Sequence, residues 1–146
     1  MILNEAIAIG LLYVFFLYEW VGLSAGGFVV PGYIAVQMNN PLLLAGTLIV
    51  SFLTYATVKV ASRFAILYGR RRFILMILAG FAWQWAFRLT LIAGFAFAAD
   101  DSLGFIIPGL IANEMERQGI WPTLLVMLTI SIMVRLTLIA LGLLRY

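Results

Sequence analysis

The chain has 146 residues, 65% of them hydrophobic and 10% charged, with a mean hydropathy of +1.13. A water-soluble domain carries roughly a quarter charged residues because its surface must face water, so a soluble globule is excluded. Cysteine and histidine are absent, which removes thiol nucleophiles, disulfides, Cys/His metal sites and the usual general base, and the formal charge is a modest +3.

Four apolar stretches are long enough to cross a bilayer. The first runs from Ile2 to Glu19. It lacks a basic n-region and a small-x-small cleavage site, and is expected to be a retained helix rather than a signal peptide. The second follows Asn39-Asn40-Pro41 and continues to about Tyr68. A basic triplet, Arg70-Arg71-Arg72, separates it from the third, about Phe73 to Ala98, which stops before Asp100-Asp101. The fourth starts at Trp121-Pro122, a good first helical turn, and ends near Leu144. Lys and Arg in short loops favour the cytoplasm. Four crossings with the triplet and Arg145 inside then place both termini in the cytoplasm, and Glu19, Asp100, Asp101, Glu114 and Glu116 towards the outer face.

Two connecting segments are near copies. Gly27-Phe28-Val29-Val30-Pro31-Gly32-Tyr33-Ile34-Ala35 matches Gly104-Phe105-Ile106-Ile107-Pro108-Gly109-Leu110-Ile111-Ala112 at six of nine positions, with two further Val/Ile exchanges. Pro-Gly breaks regular structure, yet the neighbours Phe, Val and Ile are unsuited to a solvated loop. An apolar broken segment at membrane depth must be buried in protein or face a wet cavity, as in a re-entrant hairpin or paired half-helices. The plain alternative is a buried interfacial turn that only spaces the helices. The expected fold is an all-α integral membrane protein, one membrane domain of four transmembrane helices. It forms two helix–Pro-Gly segment–helix repeats, about 1–69 and 73–146, around a basic loop at 70–72. Segments of this length more often re-enter than cross, which favours parallel repeats over the inverted repeats of many transporters.

Three cations fall inside these apolar stretches. Lys59 lies about 15 Å from the expected end of its helix at 1.5 Å per residue. Arg88 lies among Trp83, Trp85 and Phe87, and Arg135 in Ile132-Met133-Val134-Arg135-Leu136. A charge at helix centre costs on the order of 3 kcal/mol, and no Asp or Glu shares these cores to neutralise them. The implied partner is anionic: a lipid headgroup, another subunit or a substrate. Snorkelling of the long stems to the interface is the simpler reading, strongest for Lys59 and Arg63. For Arg70, Arg71 and Arg72 it is a topogenic anchor against anionic lipid, with docking of an acidic partner as the functional alternative. The aromatics Tyr13, Phe15, Phe16, Tyr18 and Trp20 are expected to face lipid. No phosphate loop, dinucleotide fingerprint or Gly-x-Ser-x-Gly elbow is present, and two adjacent acids at Asp100-Asp101 are a weak metal signal. No catalytic residue, metal site, cofactor or nucleic-acid partner is expected.

Taken together, Val29-Val30-Pro31-Gly32-Tyr33, Leu53-Thr54-Tyr55 leading to Val58-Lys59, Ile66-Leu67-Tyr68-Gly69-Arg70-Arg71, and Ile107-Pro108-Gly109-Leu110-Ile111-Ala112-Asn113 followed by Gln118-Gly119 resemble the PgsC/CapC family of poly-γ-glutamate biosynthesis proteins along the whole chain. The resemblance implies a small subunit of the bacterial cytoplasmic membrane. It would work beside a PgsB/CapB-type ATP-dependent amide ligase and a PgsA/CapA-type exposed subunit linked to export. Such a chain would anchor the ligase and help form the route of the polymer, with Lys59, Arg88 and Arg135 lining the route. Arg70 to Arg72 would sit at its cytoplasmic mouth, and Pro31, Gly32, Pro108 and Gly109 would form a constriction. Four helices are few for a conduit, so an oligomer or heteromer is expected. The alternatives are a non-conducting scaffold and a small unrelated anion transporter.

Overall fold

The computed structural model describes residues 2–89 and 102–143, which form six helices and no strand. They are α1 (Ile2–Val21), α2 (Val30–Gln37), α3 (Pro41–Ala61), α4 (Arg70–Leu89), α5 (Ser102–Gln118) and α6 (Ile120–Ala140). Among the described residues, α1, α3 and α6 are long and apolar enough to span a bilayer. Helix α4 matches them in length but carries Arg70, Arg71, Arg72 and Arg88. Asp100 and Asp101, with the rest of 90–101 and 144–146, lie outside the described residues.

Both Pro-Gly segments are helical. Pro31 occupies the first turn of α2, where a missing N–H leaves no bond unmade, whereas Pro108 lies inside α5. Neither segment is a solvated turn. Val30 to Ala35 are all buried, as are Ile107, Pro108 and Gly109. The central cluster joins Val30, Tyr33 and Ile34 of α2 to Ile107, Ile111 and Met115 of α5, with Met127 of α6 against them. The other helices wrap this pair. Ala6 and Val14 of α1 pack with Ala25, Ala35 and α6 residues Ile130, Val134 and Leu138, while Val58 of α3 packs with Met76 of α4 and Ala112 of α5.

Direct backbone contact makes this possible. A Cβ added at Gly32 would stand 2.6 Å from the Ala6 carbonyl oxygen and 2.7 Å from Ile7 Cα, and one added at Gly109 would stand 2.7 Å from both the Met76 oxygen and Ile77 Cα. Facing them, a Cβ at Gly10 would meet Gly32 N at 3.1 Å and one at Gly80 would meet Gly109 N at 2.8 Å. Small residues at a helix crossing allow this approach, which dispersion then rewards.

Hydrogen bonds tie the outer helices across the two halves. Tyr13 Oη of α1 and Thr137 Oγ1 of α6 are 3.0 Å apart, and Trp83 Nε1 of α4 donates to Thr57 Oγ1 of α3 at 3.0 Å. Other hydroxyls in α3 and α6, among them Ser51 and Ser131, donate to the carbonyl four residues back, at 2.6 Å in both cases. A hydroxyl so satisfied can sit in an apolar helix without a solvent partner.

Substituting the crossing glycines by alanine is expected to order the losses in stability by the space available. Gly32→Ala and Gly109→Ala should each cost about 1–3 kcal/mol, the range for overpacking, with Gly80→Ala next and Gly10→Ala mildest. Thermal unfolding of the purified chain in detergent checks the order; four equal midpoints would show that the crossings are not tight.

Candidate functional site

The end of the molecule where α3 turns into α4 collects the charged side chains. The second apolar stretch was expected to continue as helix to about Tyr68, but α3 stops at Ala61. Ser62 Oγ donates to the Lys59 carbonyl at 2.7 Å, and the amides of Ser62, Arg63 and Phe64 bond back to Val58, Val60 and Ala61, closing the helix. An exposed connector follows and ends at Gly69, whose φ of +62° is natural only for glycine. Lys59 is therefore in the last turn of α3 and exposed, not deep within the helix. Its ammonium donates to Tyr55 Oη at 2.9 Å and lies 5.1 Å from the centre of that ring.

Arg70, Arg71 and Arg72 form the first turn of α4 rather than a loop. The positive end of a helix dipole disfavours cations by about 0.3–1 kcal/mol each, so their placement is not explained by helix stability. Arg70 and Arg71 are exposed, whereas Arg72 is half-buried and faces Glu116 of α5, with Nη1 4.0 Å from Oε1. Glu116 was expected on the outer face, opposite the triplet. The ion pair overturns this: α5 runs back along α4, bringing Phe105 to Phe81 (5.1 Å between ring centres), Gly109 to Gly80, and Glu116 to Arg72. The physical reason is that a helical Pro-Gly segment carries the chain from one end to the other. Arg72, Glu116 and Ser62 to Tyr68 line a cleft of about 300 Å³.

The same end receives α1 and starts α6. Gln118, at the end of α5, accepts from Ser24 N–H at 2.9 Å, and its amide donates to the Ser24 carbonyl and to Thr123 Oγ1 at 3.1 Å. Gly119, with φ +100°, makes the turn between α5 and α6. Thus α1, α3 and α5 finish at this end, and α4 and α6 begin there. Exposed Trp20 and Trp121 stand at the ends of α1 and α6 here, as aromatics do at a membrane interface.

Arg88 and Arg135 are elsewhere. Arg88 is exposed, 18 residues further along α4 than Arg70, or about 27 Å at the helical rise. Arg135 is half-buried and its Nη2 donates at 2.7 Å to Asn39 Oδ1, in the turn between α2 and α3 at the opposite end. Lys59 and the arginine triplet are thus brought to one end, and Arg88 and Arg135 are not brought to it. Pro31, Gly32, Pro108 and Gly109 belong to the packed centre. Glu114, expected in an outer-face loop, is instead buried near the end of α5 and paired with Arg117 at 3.2 Å. Gln118, quoted above only as part of a motif, has a packing role that sequence reasoning did not assign. Their signal was polar residues directly after the second Pro-Gly segment, within a stretch that reads as a connecting loop.

The family model described as "Capsule biosynthesis CapC" matches residues 9–124. The chain is 41% identical over 117 residues to the PGA biosynthesis protein CapC of Bacillus subtilis (strain 168), covering 79% of this chain and 78% of that protein. It is 39% identical over 104 residues to the capsule biosynthesis protein CapC of Bacillus anthracis, covering 70% of each. No solved structure matches.

Gln118→Ala leaves the buried Ser24 amide and carbonyl without their side-chain partner. It should destabilise the chain by about 1–3 kcal/mol, as expected for an orphaned buried polar group. A lowered unfolding midpoint in detergent is the expected result; an unchanged midpoint would show that water replaces the amide.

Proposed function

The chain belongs to the CapC capsule-biosynthesis family, and on that footing we propose that it is the membrane subunit of a poly-γ-glutamate synthase and export complex. In this reading it anchors a PgsB/CapB-type ATP-dependent ligase at its basic end and helps form the path of the polymer towards a PgsA/CapA-type subunit. It contributes no catalytic group of its own. Each γ-linked glutamate keeps an α-carboxylate that is ionised near neutral pH, its pKa being about 4. The observation that carries the proposal is the gathering of Lys59, Arg63, Arg70, Arg71 and Arg72 at one end, beside a cleft. Such a surface attracts and concentrates a polyanion, or the acidic face of a soluble partner.

By the excess of Lys and Arg, the basic end faces the cytoplasm of a bacterial cell. The start of α1 and the end of α6 then lie at the outer face, the reverse of the orientation expected from four crossings. What supports this is the contact of Ser24, after α1, with Gln118, before α6. The two halves, α1–α3 and α4–α6, are read as inverted repeats, each with two long helices and a Pro-Gly helix between them. Support comes from the paired crossings Gly10–Gly32 and Gly80–Gly109 and from the opposite senses in which the halves meet the basic end.

The centre of the chain is filled by α2 and α5. A polymer path therefore lies along its flank, completed by a second copy or another subunit, with Arg88 and Arg135 towards the outer side. The scaffold reading is favoured by Lys59 and Arg135, whose charges already have partners in Tyr55 and Asn39.

Replacing Arg70, Arg71 and Arg72 together by Gln should lower polymer output at least tenfold. Co-purification of the ligase separates the two roles: loss of the ligase assigns the triplet to anchoring, and its retention assigns the triplet to gathering polymer. Replacing Lys59, Arg88 and Arg135 by Gln should reduce export with assembly intact. Unchanged output in both triple variants would refute the polymer role.

A further inference from the structure

The cleft under the α3–α4 connector has walls of both charges: Arg63 and Arg72 on one side of the balance and Glu116 on the other. Its volume of about 300 Å³ is at the small end of pockets that enclose a compact ligand, about 300–1,000 Å³. The internal ion pair is not closed. Arg72 Nη1 and Glu116 Oε1 are 4.0 Å apart, each side chain being 26% exposed, whereas a charge-assisted N–H···O contact closes to about 2.7–2.9 Å. Arg72 Nε is enclosed and has no acceptor among the described residues. A buried charged donor without an acceptor is unfavourable, so the guanidinium retains a demand that Glu116 does not meet. Nearby Lys59 is engaged by the Tyr55 hydroxyl and ring.

A site built only to hold a polyanion gains nothing from a carboxylate in its wall. Every interior unit of a γ-linked glutamate chain offers an amide and an α-carboxylate, and Glu116 repels the latter. The amino end differs, because there an ammonium and an α-carboxylate sit on the same carbon. We propose that the cleft binds this end of the γ-glutamyl chain, with the ammonium on Glu116 and the α-carboxylate on Arg72 and Arg63. The inference rests on the polymer reading above and adds a polarity to it: the chain is presented to this subunit amino end first. Binding is non-covalent and needs no co-reactant. Free glutamate carries the same pair of groups, so the ligand chemistry is an α-amino acid end and its source is settled by the size of the ligand.

The test is calorimetry on the full chain in lipid nanodiscs, with γ-linked triglutamate, its N-acetylated form and free glutamate as probes. Triglutamate is expected to bind at least tenfold more tightly than the acetylated form. Glu116→Gln should remove that difference, and Arg72→Gln should weaken both trimers. Arg63→Gln, at an exposed position, should also weaken both trimers and keeps the test available should Glu116→Gln fail to fold. Equal binding of the two trimers by the unaltered chain overturns the proposal, as does no binding of either. Free glutamate binding as tightly as the trimer assigns the cleft to the monomer and overturns the polymer end. Polymer output of the Arg70, Arg71 and Arg72 variant is read separately. A fall there with no effect of acetylation leaves the wider function standing and removes this inference alone.

Discussion

Backbone-to-backbone packing at two glycine crossings is the constraint on which the architecture depends. In a bilayer, apolar side chains gain little by leaving lipid for protein, so association relies on close van der Waals contact and on hydrogen bonds made inside the bundle. Gly32 on Ala6 and Ile7, and Gly109 on Met76 and Ile77, supply that contact where any Cβ would collide. With these crossings in place α2 and α5 reach the centre, and α1, α3, α4 and α6 present Leu, Phe, Ile and Trp outwards. The hydroxyls of α3 and α6, both the buried Ser51 and Ser131 and the outward Thr57 and Thr129, turn back on carbonyls of their own helix.

The same crossings determine where charge can be placed. Because α5 travels back along α4, the acids that follow the second Pro-Gly segment come to the end that bears the arginines. At the end that bears Lys59, Arg63 and the arginines, Glu116 comes against Arg72 and Glu114 against Arg117. Glu19, in the last turn of α1 and expected on the outer face, is a further acid there. Selectivity for more than bulk negative charge becomes physically available at that place. A purely cationic surface reads total charge and is screened by salt, whereas opposed charges at fixed separation read the layout of a ligand.

Much of this was legible in the sequence, and the failures are specific. Composition pointed to a membrane protein, in keeping with three helices long and apolar enough to span a bilayer, and the copied Gly-Phe-x-x-Pro-Gly-x-Ile-Ala segments marked the pair of elements that prove central. The sequence left open whether these segments are half-helices, re-entrant hairpins or interfacial turns, and the structure has helices at both Pro-Gly pairs. Pro-Gly signals a break, but Pro31 is harmless in a first turn, and Gly32 and Gly109 serve packing rather than turning. Lys59 looked deeply placed because Phe64, Ile66, Leu67 and Tyr68 are as apolar as a spanning helix, although they form an exposed connector. Hydropathy cannot separate an apolar interfacial loop from the last turns of a helix. Glu116 was placed at the wrong end and Gln118 was given no structural role because their contacts are with Arg72 and Ser24, distant in sequence and brought near only by packing.

The way α2 packs on α6 while α5 packs on α3 also bears on how the chain is made. The first three helices leave the ribosome with their central helix bordered by lipid on the side that α6 will later cover. Neither half has a finished interior of its own. Within the first half α2 is held against α1 through Gly32 on Ala6, Ile7 and Gly10, and its remaining faces are covered by α5 and α6 of the second. A chain cut after α3 would therefore expose on α2 the apolar face that α5 and α6 cover in the whole protein.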